Sequence, residues 1–243
     1  MKNVDELSKR INSVRENLLA ACDHASRNVD SVELMAVTKN REQDEIRNAY
    51  ELGLRNFGEN FLQEAKTKKE HLQDLTEAIW HFIGRIQSNK THDIATLFDW
   101  VHTVDRIKIA NRLDKARISQ KLPLNVCIQV NIDEEKQKSG VLPDEVKDMV
   151  TYVNKLPRLR LRGLMAIPSA DKREQKFLSS FKRMRGLFEA YSELGGPNWD
   201  TLSIGMSSDY PTAISEGATI IRIGTAIFGT RQAERNTGRS SND

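Results

Sequence analysis

A lysine ends the apolar run ELMAVTK, residues 33–39. Leu34, Met35, Ala36 and Val37 suit a buried strand, and Lys39 places a primary amine where that strand leaves the core. In a (β/α)8 barrel, active sites gather at the C-terminal ends of the strands. A lysine in such an apolar mouth loses hydration, which lowers its pKa. The neutral amine can then attack a carbonyl and form a Schiff base. The plainer alternative is a lysine whose stem lies along the strand end while its head reaches water.

A second group of chemistry-bearing residues lies near the other end of the chain. IGMSSD (204–209) follows one strand-like run, and IRIGTAIFG (221–229) contains another. Barrels often bind phosphate between the loops after strands seven and eight, beside a short helix N-terminus. Those loops offer Ser207, Ser208, Gly224 and Thr225. Hydroxyls of Ser207 and Thr225 can donate to phosphate oxygens, and Gly224 lets a backbone N–H approach closely. Serine and glycine in plain turns are the competing explanation. GTAIFGTR has the outline of a P-loop but no lysine after its second glycine, which excludes nucleoside triphosphate binding on that motif.

Arg222 interrupts the apolar run TIIRIG. Strand alternation puts it on the same face as Ile220 and Gly224, pointing into the barrel mouth. A buried guanidinium needs an acceptor or an anion. That partner is either a carboxylate in the barrel or a ligand atom. Asn60, His81, Gln129 and Asn131 also sit near strand ends, and each is a candidate pocket residue. His81 reads more readily as a hydrogen-bonded core histidine than as a base. The basic stretches KTKK (66–69) and SNK (88–90) read as solvated faces.

Eight strand-like runs would position these residues: 33–39, 55–60, 80–84, 100–104, 125–132, 159–167, 201–206 and 219–224. Helical stretches alternate with them, including 41–53, 143–156 and 173–193. Phe177, Phe181, Met184, Phe188 and Tyr191 step by four, three, four and three, which predicts a core-facing helix stripe. Alternation of this kind implies a parallel sheet. Eight repeats in 243 residues predict a single α/β domain, a (β/α)8 TIM barrel, over 1–231. An open doubly wound sheet is the structural alternative. Leu7, Ile11, Val14 and Leu18 mark an extra N-terminal amphipathic helix over 4–27, and QAERNTGRSSND (232–243) reads as a disordered tail.

Composition narrows the class. Lys+Arg 37 against Asp+Glu 34 gives a net charge of +3, short of the basic density of a dedicated nucleic-acid binder. Two cysteines, Cys22 and Cys127, stand in unrelated contexts with no zinc spacing, which fits a reducing cytoplasm. No signal peptide and no run of about 18 apolar residues is present. A cytoplasmic protein without a membrane span is the expectation.

AVTK, FGENF, WHFIGRIQSNK, HTVDR, RLRGLMAI, LSIGMSSD and IRIGTAIFG together closely resemble the pyridoxal phosphate homeostasis (YggS/PROSC) family, in order and at the expected spacing from about residue 30 to residue 231. The resemblance implies one alanine-racemase-like barrel of the fold-type III class that binds pyridoxal 5′-phosphate. It implies that Lys39 forms the Schiff base, and that Ser207, Gly224 and Thr225 hold the phosphate with Ser208 beside them. Arg222 would face the pyridine nitrogen and Asn60 would lie near the ring. Two departures are visible: Arg85 stands where many relatives carry proline, and IDEEKQKSG varies in its leading residues.

Arginine against the ring nitrogen bears on mechanism. Carbanion chemistry on this cofactor works best with a protonated ring paired to a carboxylate, and a cation there disfavours that protonation. Racemases similar in fold add a second domain and a catalytic tyrosine from a partner chain. Here little length follows the eighth strand. The expectation is therefore a monomeric carrier with no catalytic residues and no metal. It would buffer the reactive aldehyde and transiently contact apo-enzymes that use it. A single-domain amino-acid racemase is the alternative, and a nucleic-acid binder a distant third.

Overall fold

The structure, a computed structural model, describes residues 2–117, 122–169 and 174–230. The expected tail at 232–243 lies outside the described residues, and so does the side chain of Phe177. In chain order the elements are α1 (Lys2–His24), β1 (Glu33–Val37), α2 (Gln43–Glu51), β2 (Asn56–Glu59), α3 (Leu62–His71), β3 (Ile79–Phe82), α4 (Thr91–Leu97), β4 (Trp100–Val104) and α5 (Ile107–Ala116). They continue with β5 (Leu124–Gln129), α6 (Val146–Val153), β6 (Leu159–Met165), α7 (Glu174–Ala190), α8 (Ser192–Gly195), β7 (Thr201–Met206), α9 (Tyr210–Ser215), β8 (Ile220–Ile223) and α10 (Thr225–Phe228).

The eight strands pair in sequence order and close into a barrel, so the open-sheet alternative is excluded. β1 pairs with β8 in parallel, with Met35 opposite Arg222. That register brings the end carrying Lys39 beside the end carrying Gly224. Parallel strands covered on both faces favour near-continuous apolar runs, as in ELMAV and LNVCIQ.

Alternation sorts the side chains into two cores. Phe57, Phe82, Val101, Val126 and Leu164 point outward and are buried under the helices. Met35, Ile83, Trp100, Cys127, Met165 and Ile220 fill the barrel interior. Burying each large apolar side chain contributes about 1.5–3 kcal/mol. α1 lays Leu7, Ile11, Val14, Leu18 and Cys22 on that outer core, near α9 and α10. On α7, Phe181 and Met184 are buried and Phe188 stacks on Trp199 at 5.3 Å, so the aromatic stripe is core.

The KTKK stretch departs from the solvated face expected of it. Lys68 is only 3% exposed, and Lys66 and Lys69 are half-buried. Lys69 lies over Trp80 at 5.3 Å and donates to the carbonyl of Leu97. Long aliphatic stems let lysines cover apolar surface, which charge counting along a sequence does not register. Asn89 and Lys90 of SNK are exposed as expected.

Candidate functional site

At the C-terminal mouth of the barrel the strand ends open into a cavity of about 500 Å³. Its lining includes Lys39, Asn60, Arg222, Ser207, Ser208, Gly224 and Thr225. Residues from both ends of the chain therefore share one wall, because β1 closes the barrel against β8. Lys39 is exposed, so the apolar burial expected to desolvate its amine is absent. It follows β1 by two residues, at the mouth of the cavity that it helps to line. Ser208 and Thr225 are exposed as well, while Ser207 is half-buried.

The phosphate-type wall is built by turn and helix start. β7 ends at Met206, and the turn through Ser207 and Ser208 is held by Asp209, whose carboxylate accepts the Met206 N–H at 2.6 Å. Gly224 is the residue before α10, and Ser207 Oγ accepts a long hydrogen bond from the Ala226 N–H at 3.4 Å. Gly224 has φ −110°, and a Cβ there would meet Val37 only at 3.5 Å. Neither backbone strain nor the protein's own packing requires glycine at this lining position.

Arg222 is 3% exposed and forms the cationic floor. It donates to Ser203 O at 2.6 Å, Ser203 Oγ at 2.9 Å and Ala166 O at 2.9 Å. All three acceptors are neutral, and no described carboxylate lies within ion-pairing distance of it. Of the two partners open at the sequence level, the barrel carboxylate is therefore not found among the described residues. Burial pushes the guanidinium down to about 10, opposed by the nearby charge of Asp209, and it stays protonated at neutral pH. Asn60 completes the ring of polar groups: its Oδ1 is buried without a hydrogen-bond partner among the described residues. Backbone approach is tight here, since a Cβ on Gly84 would fall 1.9 Å from Asn60 O.

A family model described as "Alanine racemase, N-terminal domain" matches residues 10–232. A pyridoxal phosphate homeostasis protein of Pseudomonas aeruginosa is 48% identical over 225 residues, spanning 93% of this chain and 96% of the relative. The chain belongs to the pyridoxal phosphate homeostasis protein family. The family's Escherichia coli member is 43% identical over 232 residues, covering 94% of this chain and 98% of its own. A solved structure of PipY from Synechococcus elongatus, described as having PLP bound, superposes with TM-score 0.80 at 34% identity, covering 92% of this chain and all 100% of PipY. An alanine racemase of Corynebacterium glutamicum shares the fold at TM-score 0.66 and 15% identity, and this chain spans 62% of it.

Not every polar strand-end residue reaches the cavity. Gln129 and Asn131 line an adjoining recess of about 250 Å³ with Arg85 and Lys138, contiguous through Asn60, Ile83 and Ile167. His81 lies lower, inside the barrel and fully buried. Below Arg222 it takes part in a chain of hydrogen bonds that strand-end reasoning did not find. Ser203 Oγ, His102 Nδ1, His102 Nε2, His81 Nδ1, His81 Nε2 and Asn56 Oδ1 follow one another, with contacts of 3.0, 3.0 and 2.9 Å. Trp100 stacks on both imidazoles at 5.6 Å.

One assignment of protons satisfies every member. Arg222 donates to Ser203 Oγ, and the Ser203 hydroxyl donates to His102 Nδ1. His102 Nε2–H donates to His81 Nδ1, and His81 Nε2–H donates to Asn56. Both imidazoles are then neutral, in agreement with the desolvation that lowers His81 to about 3 and His102 well below its usual value. The sequence signal was the strand alternation placing Trp100 and His102 on one face.

This pair makes stability pH-dependent. Above about pH 6.5 the histidines are neutral folded or unfolded. Below it, the unfolded chain takes up protons that the folded barrel refuses, down toward the folded value of about 3 for His81. Stability is therefore lost as pH falls, with a slope that steepens below about pH 6.5 toward a limit of about 1.4 kcal/mol per pH unit for each histidine kept neutral by the fold. Denaturant unfolding between about pH 7 and pH 5 should show this slope, and a flat profile would contradict the buried neutral pair.

Proposed function

We propose that this protein binds pyridoxal 5′-phosphate reversibly at the barrel mouth and acts as a non-catalytic reservoir of the cofactor in its homeostasis. The polar groups present fit that ligand. Lys39 offers a free amine, Ser207, Gly224 and Thr225 line the wall suited to a phosphate, and Asn60 brings a buried amide oxygen in need of a donor. When bound, the cofactor supplies an aldehyde that condenses reversibly with a primary amine. Lys39 would hold it there, Ser207, Ser208, Gly224 and Thr225 would bind the phosphate, and Arg222 would meet the ring nitrogen. The names of the relatives and the PLP-bound PipY structure support this reading.

The observation that carries the non-catalytic part is Arg222. Its guanidinium is fixed by Ser203 and Ala166, stays charged, and forms no ion pair with a carboxylate among the described residues. Such a floor disfavours a protonated ring and weakens the electron sink that amino-acid chemistry needs. The result expected is no exchange of α-protons with deuterated solvent, above the rate of free cofactor, across a broad panel of amino acids. Exchange at enzymatic turnover would replace the reservoir with a racemase-like enzyme. The reservoir reading also places the protein among apo-enzymes that take up the cofactor, with the chain acting as a monomer in the cytoplasm. No helix among the described residues is long and apolar enough to cross a membrane.

A further inference from the structure

Lys39 is exposed and makes no hydrogen bond or ion pair with the described residues, yet the peptides on either side of it are tightly held. On one side, the Thr38 carbonyl accepts from Lys68 Nζ at 2.6 Å. On the other, the Asn40 N–H donates to Glu64 Oε1 at 2.5 Å. Lys68 joins the two clamps, because it also pairs with Glu64 and with Glu59 Oε1, the latter at 2.7 Å. Thr38 Oγ1 closes the group by donating to Glu59 at 2.5 Å.

The cost of this arrangement is plain. Asn40 is held at φ +56°, a left-handed conformation uncommon outside glycine, for which asparagine is the best suited of the ordinary L-residues and the cost correspondingly small. Glu59 is fully buried, and its Oε2 lacks a partner among the described residues. A buried ion pair is weak grounds for stability, since desolvation offsets much of the attraction. Strained backbone persists where its surroundings over-determine it, and such strain clusters at functional sites. Here mild strain and buried charge converge on the two peptide groups flanking one residue.

We propose that Lys68, with Glu59 and Glu64, is a positioning device for Lys39: it fixes the Thr38 carbonyl and the Asn40 amide so that the Lys39 side chain enters the cavity at a set angle. The device rests on the cofactor reading of the cavity. The clamp limits backbone motion at residue 39, and the amine then meets an aldehyde anchored beside it by the residues after β7 and β8 without a search. On the outer side Arg41 adds to the hold, donating to Phe228 O at 3.2 Å and to Gly229 O.

The test uses Glu64→Ala, with Glu64→Gln as the conservative variant that keeps an acceptor oxygen. Glu64 has 25% side-chain exposure, so neither change leaves a hole in the core. Lys68→Met combined with Glu59→Gln removes the buried charges together and serves as the stronger variant. Two quantities are read: amide hydrogen exchange at Asn40 in the cofactor-free protein, and the rate at which added pyridoxal 5′-phosphate is captured on Lys39. We expect Glu64→Ala to raise Asn40 exchange and slow capture, each about tenfold, with Glu64→Gln near wild type in both.

Unchanged Asn40 exchange overturns the clamp. Faster exchange with an unaltered capture rate also overturns it, leaving the cluster a structural feature only. A wild-type protein that captures no cofactor at Lys39 defeats the functional reading itself, and the device with it. That failure is visible without any variant.

Discussion

Replacing Lys39 with alanine should abolish covalent capture of pyridoxal 5′-phosphate and raise its dissociation constant by at least about 100-fold, or ~2.7 kcal/mol. Stability of the cofactor-free chain should barely move. Lys39 is exposed and unpaired with the described residues, and surface substitutions of that kind stay within about 0.5 kcal/mol. Weak residual binding should persist through the wall containing Ser207, Gly224 and Thr225, which the substitution leaves in place. Equilibrium dialysis of wild type and variant, beside their thermal unfolding, separates the two effects. Equal retention of cofactor by both proteins would remove Lys39 from the account.

The second large effect concerns Arg222. Arg222→Met keeps much of the volume but leaves Ser203 Oγ and Ala166 O without the donor they have now, while Ser203 O keeps only the long hydrogen bond from the Ala166 N–H at 3.3 Å. Each unpaired buried acceptor costs about 1–3 kcal/mol, and the desolvation penalty of the lost guanidinium is recovered in part. A net loss of about 3 kcal/mol is expected, which lowers Tm by about 6–12 °C in a chain of this size. The charge effect has its own signature. With the cation gone, protonation of the bound cofactor's ring becomes easier. The pH midpoint of its absorption change should then move upward. A melting temperature within a degree of wild type would contradict the hydrogen bonding assigned to Arg222. An unmoved midpoint would contradict its place against the ring.

Much of the fold was legible because (β/α)8 repetition writes itself in alternating patterns. All eight expected strands are present, with ends differing by a few residues; for instance 125–132 shortens to Leu124–Gln129. The seven residues singled out at strand ends line one cavity, because parallel strands of a closed barrel end on one rim. What stayed hidden were contacts between residues far apart in sequence. His102 to Ser203 bridges 101 positions, and nothing near either residue announces the other. Lys68 was read as solvated because a basic run looks the same whether it faces water or is turned inward onto Glu59. For Lys39 the sequence left two readings open, an amine desolvated in the mouth and one reaching water; it lies two residues past β1, exposed and lining the cavity.

The most direct test of the central claim is to add pyridoxal 5′-phosphate to the wild-type protein, reduce with borohydride and map the modified peptide by mass spectrometry. The account predicts a stoichiometric pyridoxyl adduct on Lys39 that added inorganic phosphate suppresses. An adduct spread over surface lysines, or none at all, would contradict it.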